Sequence, residues 1–235
     1  MGIFSGETSA LSPCVIRALD IESGFDETYN NIIVPFVLNA VSLNAGTNTL
    51  DILDIGCGCG FLTDKLGETN RVHGIDISSE CIQYATERYR HASFEHIDVN
   101  EFRSAKAYDI CVATMMVHLL SDYNAFLKRA ANLLHEGGGL LIVIPHPNYW
   151  AAEKISGLEY AVEKKYSYDF KINGSERYWE IAYHHRTMET YITQPLTNGF
   201  RFNSFNELYE KRNGETARIP HLLGLSLSLE RAGIL

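Results

Sequence analysis

The sequence predicts an α/β domain in which a mostly parallel β-sheet carries helices on both faces. Three observations support this fold class. From residue 50 onwards, short apolar runs alternate with segments of helical periodicity. A glycine-rich bend follows the first apolar run and precedes a predicted helix. Near the carboxyl end, leucines alternate with small residues, which is typical of an antiparallel strand that would close the sheet.

The composition is that of an ordinary globular protein. The chain has 235 residues, of which 46% are hydrophobic and 21% are charged, which suits one domain that carries an insertion. No run approaches about 18 apolar residues, so we expect no transmembrane helix. The five cysteines are not paired at zinc-like spacing, which favours a reducing compartment. The first basic residue is Arg17, so we expect no leader peptide and a cytoplasmic location.

The charge distribution bears on the kind of partner. The formal net charge is −9, and its acidic excess lies in residues 1–145, whereas residues 146–235 are balanced. Proteins that bind nucleic acid usually present a dense basic face, and the sequence has no such run. We therefore expect a small-molecule substrate, no nucleic acid and no membrane partner, in a monomer or a homodimer.

The amino-terminal segment, residues 1–44, is predicted to be helical. Residues 26–43 place apolar side chains at helical spacing. Asp26 suits the N-cap of this helix, and Pro35 predicts a kink or a break into two short helices.

Strands and helices then alternate. The predicted strands are Leu50–Ile55, Val72–Asp76, Ser93–Ile97, Asp109–Ala113 and Leu140–Ile144. The predicted helices are Phe61–Leu66, Ser79–Tyr89 and Tyr123–Leu134, the last of them ended by Gly137–Gly139. Such alternation predicts a parallel sheet with both faces covered.

Residues 146–186 interrupt this alternation and are predicted to form a lid insertion that is rich in aromatic side chains. Asn173-Gly174 lies between two alternating runs, a strong signal for a β-hairpin with a two-residue turn. That turn would pair Tyr168 with Trp179. One interpretation is a hairpin that packs on the core through its aromatic face. Another is a lid over a substrate pocket, and the two are compatible.

The remaining segments complete a single predicted domain that spans residues 1–235. Thr187–Asn198 is predicted as a helix that ends at Gly199. Phe200–Phe202 follows as a short strand. In His221–Leu229 the leucines share one face, which predicts the antiparallel strand that closes the sheet.

The glycine-rich bend is the motif that carries the chemistry. Residues 54–60 read DIGCGCG, so that bare backbone can approach a ligand closely. The spacing is GxGxG, which differs from the GxGxxG of dinucleotide-binding loops. Asp76 ends the second predicted strand, where a carboxylate can accept hydrogen bonds from both hydroxyls of a ribose. Asp98 follows the third predicted strand, within reach of an adenine amino group.

This pattern resembles the class I S-adenosylmethionine-dependent methyltransferases, and among them the small-molecule, UbiE-like group, over roughly residues 26–235. The resemblance implies a Rossmann-like seven-stranded, mostly parallel sheet with an antiparallel last strand, and S-adenosyl-L-methionine as cofactor. The segment from Tyr183 to Gly199 also resembles a signature of this group. The implied cofactor-binding residues are Tyr29, Asp54, Gly56, Cys57, Gly58, Gly60, Asp76, Ile77, Asp98, Val99, Thr114, Met115 and His118.

The resemblance further implies transfer of a methyl group to an oxygen, or a nitrogen, of a small aromatic or apolar metabolite. The nucleophile must lose a proton, a role that suits histidine. His185 lies in the group's signature and His146 follows the fifth predicted strand, so both are candidate general bases. His185 could instead fix the lid to the core, together with Arg186. Tyr149, Trp150 and Arg186 are candidate substrate contacts.

Several alternatives remain open at this point. No Asn-Pro-Pro-Tyr run follows the fourth predicted strand, where Thr114–Val117 stands, which weighs against methylation of amides. No cluster of carboxylates is evident in residues 109–150, so we expect no metal ion. We interpret Cys57 and Cys59 as small residues that fit a tight loop, in preference to a redox pair. A pericyclase, a decarboxylase or a binding protein could share the scaffold, and an NAD-dependent oxidoreductase is a more distant alternative.

Overall fold

The computed structural model describes residues 13–46, 48–171, 178–212 and 215–230. Its strands are β1 Asp51–Ile55, β2 Arg71–Asp76, β3 Ala92–His96, β4 Tyr108–Thr114, β5 Leu134–Pro145, β6 Lys165–Lys171, β7 Tyr178–His184, β8 Phe200–Leu208, β9 Lys211–Arg212, β10 Glu215–Thr216 and β11 Leu222–Leu229. Its α-helices are α1 Pro13–Glu22, α2 Val34–Ala45, α3 Phe61–Gly67, α4 Ser79–Arg88, α5 Tyr123–Leu133, α6 Pro147–Tyr149 and α7 Met188–Thr197. Two π-helical turns, Tyr29–Ile33 and Trp150–Lys154, and a 3-10 turn, Val117–Leu119, complete the set.

Seven strands form one sheet in the order β3-β2-β1-β4-β5-β11-β8. The five strands from β3 to β5 pair in parallel, and β11 pairs antiparallel with both β5 and β8. The predicted fold class, a mostly parallel sheet whose last strand is antiparallel, is confirmed. The antiparallel last strand, β11, lies between β5 and β8, so that β8 forms the edge of the sheet.

Each face of the sheet buries its own apolar cluster. On one face, α5 and α7 pack against the sheet through Phe126, Leu127 and Tyr191. On the other face, α2 and α3 contribute Val37 and Leu62 to a second cluster. Successive residues of a strand point to opposite faces. The alternating leucines of β11, Leu223, Leu225, Leu227 and Leu229, therefore all pack in the first cluster, and Leu222 packs in the second.

Two strand boundaries differ from the sequence prediction. β5 starts at Leu134, directly after α5, so Gly137–Gly139 lie inside the strand instead of ending the helix. An irregularity in the pairing between Tyr108 and Ile110 accompanies this early start. β8 has nine residues where the sequence predicted three. The polar residues of β8 lie at the edge of the sheet, where the strand pairs with one neighbouring strand only. Such a strand need not be apolar, so hydrophobicity does not reveal its length in the sequence.

The lid carries the predicted hairpin, formed by β6 and β7, in a different register. Tyr168 pairs with Ile181 and Tyr166 with Tyr183, so the predicted pairing of Tyr168 with Trp179 was wrong by two residues. A shift of two keeps the alternation of side chains, and the same aromatic face results. The predicted turn at 173–174 lies outside the described residues.

A third apolar cluster joins the hairpin to the rest of the lid. Tyr149, Trp150, Ile155 and Tyr183 are buried in it, with Tyr168 packed against them. Of the helices in the described ranges, none has the length and apolar character needed to cross a membrane.

Gly67 provides a test of the packing between α3 and the start of β3. A Cβ atom built at Gly67 would lie 2.3 Å from the carbonyl oxygen of His91, and backbone at that distance must move. We expect Gly67→Ala to lower the free energy of unfolding by roughly 1–3 kcal/mol, the cost typical of overpacking. Urea denaturation measures this change in the free energy of unfolding.

Gly139→Ala is the matched control, because a Cβ atom there would lie 3.5 Å from Cγ1 of Ile110, an ordinary contact. We expect a change below about 1 kcal/mol for this variant. Equal stability of the two variants would contradict the close approach of Gly67 to His91.

Candidate active site

A cavity of about 230 Å³ opens at the carboxyl edge of the sheet, where the ends of β1, β2 and β4 meet. Ligands of open α/β sheets bind at this edge. Residues of α1 and of the π-helical turn Tyr29–Ile33 form its outer wall. The predicted residues that line it are Tyr29, Gly56, Cys57, Gly58, Gly60, Asp76, Thr114 and Met115. We refer to it as the edge cavity.

The bend between β1 and α3 presents bare backbone to the edge cavity. Gly56 and Gly60 have φ angles of 72° and 84°, in the left-handed region that favours glycine. A Cβ atom at Gly56 would lie 2.8 Å from Cγ of Met116, and one at Gly60 would lie 2.7 Å from Cε1 of Phe94. Both the conformation and the space therefore require glycine.

Asp76 is held rigidly beside this bend. Its Oδ2 atom accepts a hydrogen bond of 2.9 Å from the backbone N–H of Gly58, and its Oδ1 atom accepts one of 2.8 Å from the N–H of Ser78. Each carboxylate oxygen has two acceptor sites, so both remain able to accept a hydroxyl of a ligand.

Asp54 is buried, with 1% of its surface exposed. Its Oδ2 atom accepts a hydrogen bond of 2.7 Å from the hydroxyl of Thr63, and its Oδ1 atom has no partner among the described residues. Burial raises the pKa of this carboxyl to about 7, and the nearby charge of Asp76 adds to the effect. A buried carboxylate with an unpaired oxygen is best compensated by a positive charge.

Tyr29 and Arg17 cover the edge cavity. The Tyr29 ring meets Phe61 edge-on at 6.5 Å between centroids, and its hydroxyl contacts the side chain of Thr114. The guanidinium of Arg17 lies 5.9 Å from the centre of the Tyr29 ring and 3.2 Å from the carboxylate of Asp26. The expectation that Tyr29 closes over a ligand is compatible with this placement.

A second cavity, of about 900 Å³, lies under the lid. Its aromatic and apolar walls come from Trp150, Ile155, Tyr168 and Ile181, and its charged residues are Arg17, Lys154 and Asp169. Arg17, Met115 and Leu119 line both cavities. We refer to it as the lid cavity.

Met115 stands between the two cavities in a strained conformation. Its φ angle is 54°, which is uncommon for a residue other than glycine. The strain costs on the order of 1–3 kcal/mol and persists only where the surroundings fix the backbone. Here the Met115 N–H donates a hydrogen bond of 2.7 Å to the carbonyl of Val143 at the end of β5.

His118 lines the lid cavity, not the edge cavity in which the sequence placed it. Its side chain is buried against the rings of Trp150 and Tyr183, at centroid distances of 6.1 and 6.0 Å. Burial lowers the pKa of its imidazole to about 3, with smaller contributions from the charges of Arg17 and Arg186. The ring is therefore neutral near pH 7.

Three further predicted cofactor residues, Ile77, Asp98 and Val99, line neither cavity. They follow β2 and β3 along the same edge of the sheet. The side chain of Ile77 is 71% exposed, and Oδ1 of Asp98 accepts hydrogen bonds from the backbone and side-chain amides of Asn100. Val99 is buried, with 7% of its surface exposed.

His185 lies outside both linings, and its ring is engaged by the lid itself. Its Nε2–H donates a hydrogen bond of 2.8 Å to the carbonyl of Tyr160, and Nδ1 lies 3.4 Å from the hydroxyl of Tyr183. Arg186 donates hydrogen bonds to the carbonyls of Leu120 and His184. This geometry favours fastening of the lid to the core over the predicted base and substrate roles of His185 and Arg186.

His146 also lies away from both cavities and is completely buried. Its Nδ1 atom accepts a hydrogen bond of 3.2 Å from the N–H of Asn148, and so caps α6. The Tyr149 ring packs against His221 at a centroid distance of 4.1 Å, with the two ring planes tilted by 50°. Neither placement supports the predicted catalytic and substrate roles. Among the predicted substrate residues, Trp150 is the one that lines the lid cavity.

Arg17, Lys154 and Leu119 were not predicted as site residues, although they line one or both cavities. No motif singles out Arg17 or Lys154, because they reach the site through the folding of α1 and of the lid over the sheet edge, whereas Leu119 lies in the turn that follows β4. The aromatic density of residues 149–183 was the one signal that pointed to the lid cavity.

The pH dependence of stability tests the burial of His118. An unfolded histidine titrates near pH 6.5, whereas the native His118 stays neutral down to about pH 3. The unfolded state therefore binds more protons below pH 6.5, and stability falls as the pH drops below that value. We expect protonation of this residue in the unfolded state to lower the free energy of unfolding by about 2 kcal/mol between pH 6.5 and pH 5.

His118→Phe keeps the ring packing and removes the titration. Urea denaturation at pH 7 and at pH 5 should show a smaller loss of stability on acidification for the variant than for the parent chain. Identical losses would mean that His118 is accessible to protons in the native state.

Comparison with known proteins finds similarity to methyltransferases over part of the chain. Residues 52–138 match the family model for a methyltransferase domain. A ubiquinone biosynthesis O-methyltransferase of Bradyrhizobium is 32% identical over 135 residues, which are 54% of this chain and 52% of the relative. A malonyl-[acyl-carrier protein] O-methyltransferase of Acetivibrio thermocellus is 30% identical over 39% of this chain and 34% of the relative. The chain thus spans between about a third and a half of the curated relatives it matches.

Solved structures extend the comparison to most of the chain. An S-adenosylmethionine-dependent methyltransferase of Clostridium acetobutylicum superposes with a TM-score of 0.64 at 14% identity, over 90% of this chain and 100% of the other. The N-methyltransferase NodS of Bradyrhizobium japonicum, in complex with S-adenosyl-L-homocysteine, gives a TM-score of 0.58 at 17% identity, over 89% and 91% of the two chains. These matches agree with the resemblance drawn from the sequence: residues 52–138 are similar to a methyltransferase domain, and the fold over most of the chain is that of solved S-adenosylmethionine-dependent methyltransferases.

Proposed function

We propose that the protein transfers a methyl group from S-adenosyl-L-methionine to an oxygen, or a nitrogen, of a small aromatic or apolar acceptor, without a metal ion. The observation that carries this proposal is the meeting of two cavities at a common wall. The edge cavity has the glycine bend and Asp76, the lid cavity has aromatic walls, and Met115 borders both. A donor and an acceptor bound there would meet at Met115.

The residues of the edge cavity fit the cofactor. Asp76 is fixed with free acceptor sites for the ribose hydroxyls. The bare backbone at Gly58 faces open space, because a Cβ atom there would meet no described atom within 4 Å. The unpaired oxygen of Asp54 is a buried acceptor that a positively charged ligand would compensate. Outside the cavity lining, the exposed Ile77 and the half-buried Asp98 suit the apolar face and the amino group of adenine.

When bound, S-adenosyl-L-methionine supplies a methyl group that is already activated by a sulfonium. The chain therefore needs to align the acceptor with this group and to exclude water. Such alignment contributes about 7–11 kcal/mol in well-oriented intramolecular reactions. The lid provides the enclosure through Trp150 and Tyr168, and the strained backbone at Met115 is fixed by β5.

The relatives support the reaction type. The Bradyrhizobium and Acetivibrio relatives are named as O-methyltransferases, and NodS as an N-methyltransferase. No group of three or more histidine, cysteine, aspartate or glutamate side chains in the described ranges could hold a metal ion. We therefore propose transfer by direct displacement, with a small molecule as acceptor.

Ligand-induced stabilisation tests the choice of cofactor. We expect S-adenosyl-L-homocysteine to raise the melting temperature, because a ligand at a hundredfold excess over its Kd stabilises by about 2.7 kcal/mol. Asp76→Ala should reduce this shift, since the ribose hydroxyls lose their acceptor. Stabilisation by NAD in place of S-adenosyl-L-homocysteine, measured by differential scanning fluorimetry, would refute the proposal.

The substitution Asp54→Asn tests the role of the Asp54 charge separately in the stability of the fold and in the binding of the cofactor. The native carboxyl has a pKa of about 7, against 3.8 for the ordinary value, so its stabilising contribution falls as the pH rises from about 4 to 7. We expect the variant without ligand to be more stable than the parent at pH 8, by an amount that shrinks towards pH 4. Its affinity for S-adenosyl-L-methionine should fall about tenfold, as for the loss of one charged contact.

Asp122→Asn is the matched control. Asp122 accepts a hydrogen bond of 2.8 Å from the N–H of Ala125 and caps α5, and asparagine is an equally good N-cap. We expect unchanged cofactor affinity by isothermal titration calorimetry. If Asp54→Asn binds the cofactor as tightly as this control, Asp54 does not compensate the ligand's charge.

A further inference from the structure

We propose that helix α1 is a movable cover over the edge cavity, and that Glu22, its last residue, is the positioning residue that holds this cover against α4. On the function proposed above, the ligand that passes the cover is S-adenosyl-L-methionine or its product S-adenosyl-L-homocysteine. Arg17, Ala18 and Ile21 of α1 line the edge cavity. Ala18 and Ile21 are buried, with 3% and 7% of their surface exposed, so this side of α1 faces the cavity.

The Glu22 carboxylate accepts four hydrogen bonds from α4 and from the residue that follows it. Its Oε1 atom accepts from the hydroxyl of Tyr84 at 3.1 Å, from Nε of Arg88 at 3.1 Å and from the hydroxyl of Tyr89 at 2.5 Å. Its Oε2 atom accepts from Nη2 of Arg88 at 2.7 Å. We refer to these four bonds as the Glu22 clasp. Helix α4 also lines the edge cavity, through Cys81, so the clasp joins two walls of that cavity.

The clasp is charged and lies at the border with solvent. The side chain of Glu22 is 14% exposed, whereas that of Arg88 is 58% exposed. Burial raises the pKa of Glu22, but the hydrogen bonds from Tyr89, Arg88 and Tyr84 outweigh burial and hold the pKa below its ordinary value. When the clasp breaks, the carboxylate and the guanidinium are both solvated by water. The clasp can therefore open without leaving an unpaired charge in the interior.

Helix α1 packs apart from the apolar core. Among the described residues, Ile16, Ala18 and Ile21 of α1 are buried but belong to none of the three apolar clusters of the fold. In α2, by contrast, Val37 packs in the cluster beneath the helix. A segment with few apolar contacts to the core opens at a lower free energy than the whole fold. Helix α1 is therefore suited to move while the sheet stays intact.

Two further polar contacts of α1 lead to the turn Tyr29–Ile33, which forms the rest of the outer wall. The side-chain amide of Asn30 donates a hydrogen bond of 2.9 Å to the carbonyl of Ile21. The carboxylate of Asp26 lies 3.2 Å from Arg17 and accepts a hydrogen bond of 2.9 Å from the N–H of Tyr29. These contacts link the parts of the outer wall to each other, whereas the clasp fixes α1 to α4.

A clasp of this kind changes the rates of ligand exchange and leaves the affinity unchanged. Glu22 holds α4 in the free and in the ligand-bound form, and releases it while the ligand passes. Weakening the clasp therefore lowers the barrier to entry and the barrier to exit by the same amount. The association and dissociation rate constants rise by one common factor, and Kd, their ratio, stays the same. A misplaced α1 would instead speed dissociation alone and raise Kd.

Surface plasmon resonance on the immobilised full chain, with S-adenosyl-L-homocysteine as the ligand, measures both rate constants. We expect Glu22→Gln to raise both by about fivefold, and Tyr89→Phe, which keeps the carboxylate and removes one hydrogen bond, to raise both by about twofold. Kd should change by less than about twofold in each variant. The buffer contains a reductant, so that no disulfide bond among the five cysteines restrains α1.

Glu68→Gln is the matched control. Glu68 forms an ion pair of 2.8 Å with Lys65 at the end of α3, and its substitution changes the net charge by the same amount as Glu22→Gln. We expect both of its rate constants to equal those of the parent. If Glu22→Gln and Tyr89→Phe also exchange the ligand at the parent rates, the proposal is overturned. Faster dissociation with a raised Kd and an unchanged association rate would overturn it as well.

Hydrogen exchange of the ligand-free chain tests the cover without the cofactor. Mass spectrometry of peptides from α1 should show exchange about fivefold faster in Glu22→Gln than in the parent, with unchanged exchange in β4. Unchanged exchange in α1 would contradict the proposed cover. If S-adenosyl-L-homocysteine does not bind the parent chain, the proposed function fails, and hydrogen exchange still decides whether Glu22 holds α1. If it binds and the variants leave its rates unchanged, the cofactor site stands and the role of Glu22 falls.

Discussion

Two hydrogen bonds tie the glycine bend to the neighbouring strand, and the whole site depends on them. The backbone N–H groups of Gly56 and Cys57 both donate to the carbonyl of Ile75, at 2.8 and 3.0 Å. They bring the end of β1 beside the end of β2, where Asp76 accepts from Gly58. Parallel pairing of these strands sets the distance between the two carboxylates, Asp54 and Asp76, and the edge cavity follows from it.

Local patterns predicted most of the sheet, because its central parallel strands β1 and β4 are buried on both faces and read as apolar runs. The length of β8 was underestimated because an edge strand, which pairs with one neighbouring strand only, need not be apolar. The hairpin register was missed by two residues for a related reason. Alternation of side chains is the same for registers that differ by two, so the aromatic pattern around Tyr168 could not distinguish them.

The site was predictable where backbone conformation demanded it and unpredictable where it depended on distant packing. The glycines of the bend and Asp76 sit in a contiguous motif, and the structure brings them to one cavity. The histidines carried no such information. Sequence position places His146 and His185 near the sheet edge, but hydrogen bonds to Asn148 and Tyr160 engage their rings. Which histidine borders a cavity is decided by how residues 146–186 fold over the sheet edge: His118 does, and His146 and His185 do not.

Arg17 borders both cavities, which has a thermodynamic consequence. A molecule bound in one cavity contacts a residue that also lines the other cavity. We therefore expect the two binding equilibria to be coupled. Linkage requires the coupling to be reciprocal: whatever factor the first occupant imposes on the second, the second imposes on the first. An unreactive donor analogue would therefore strengthen or weaken the binding of the acceptor. The guanidinium of Arg17, in the short helix α1, is the shared contact through which this effect would pass.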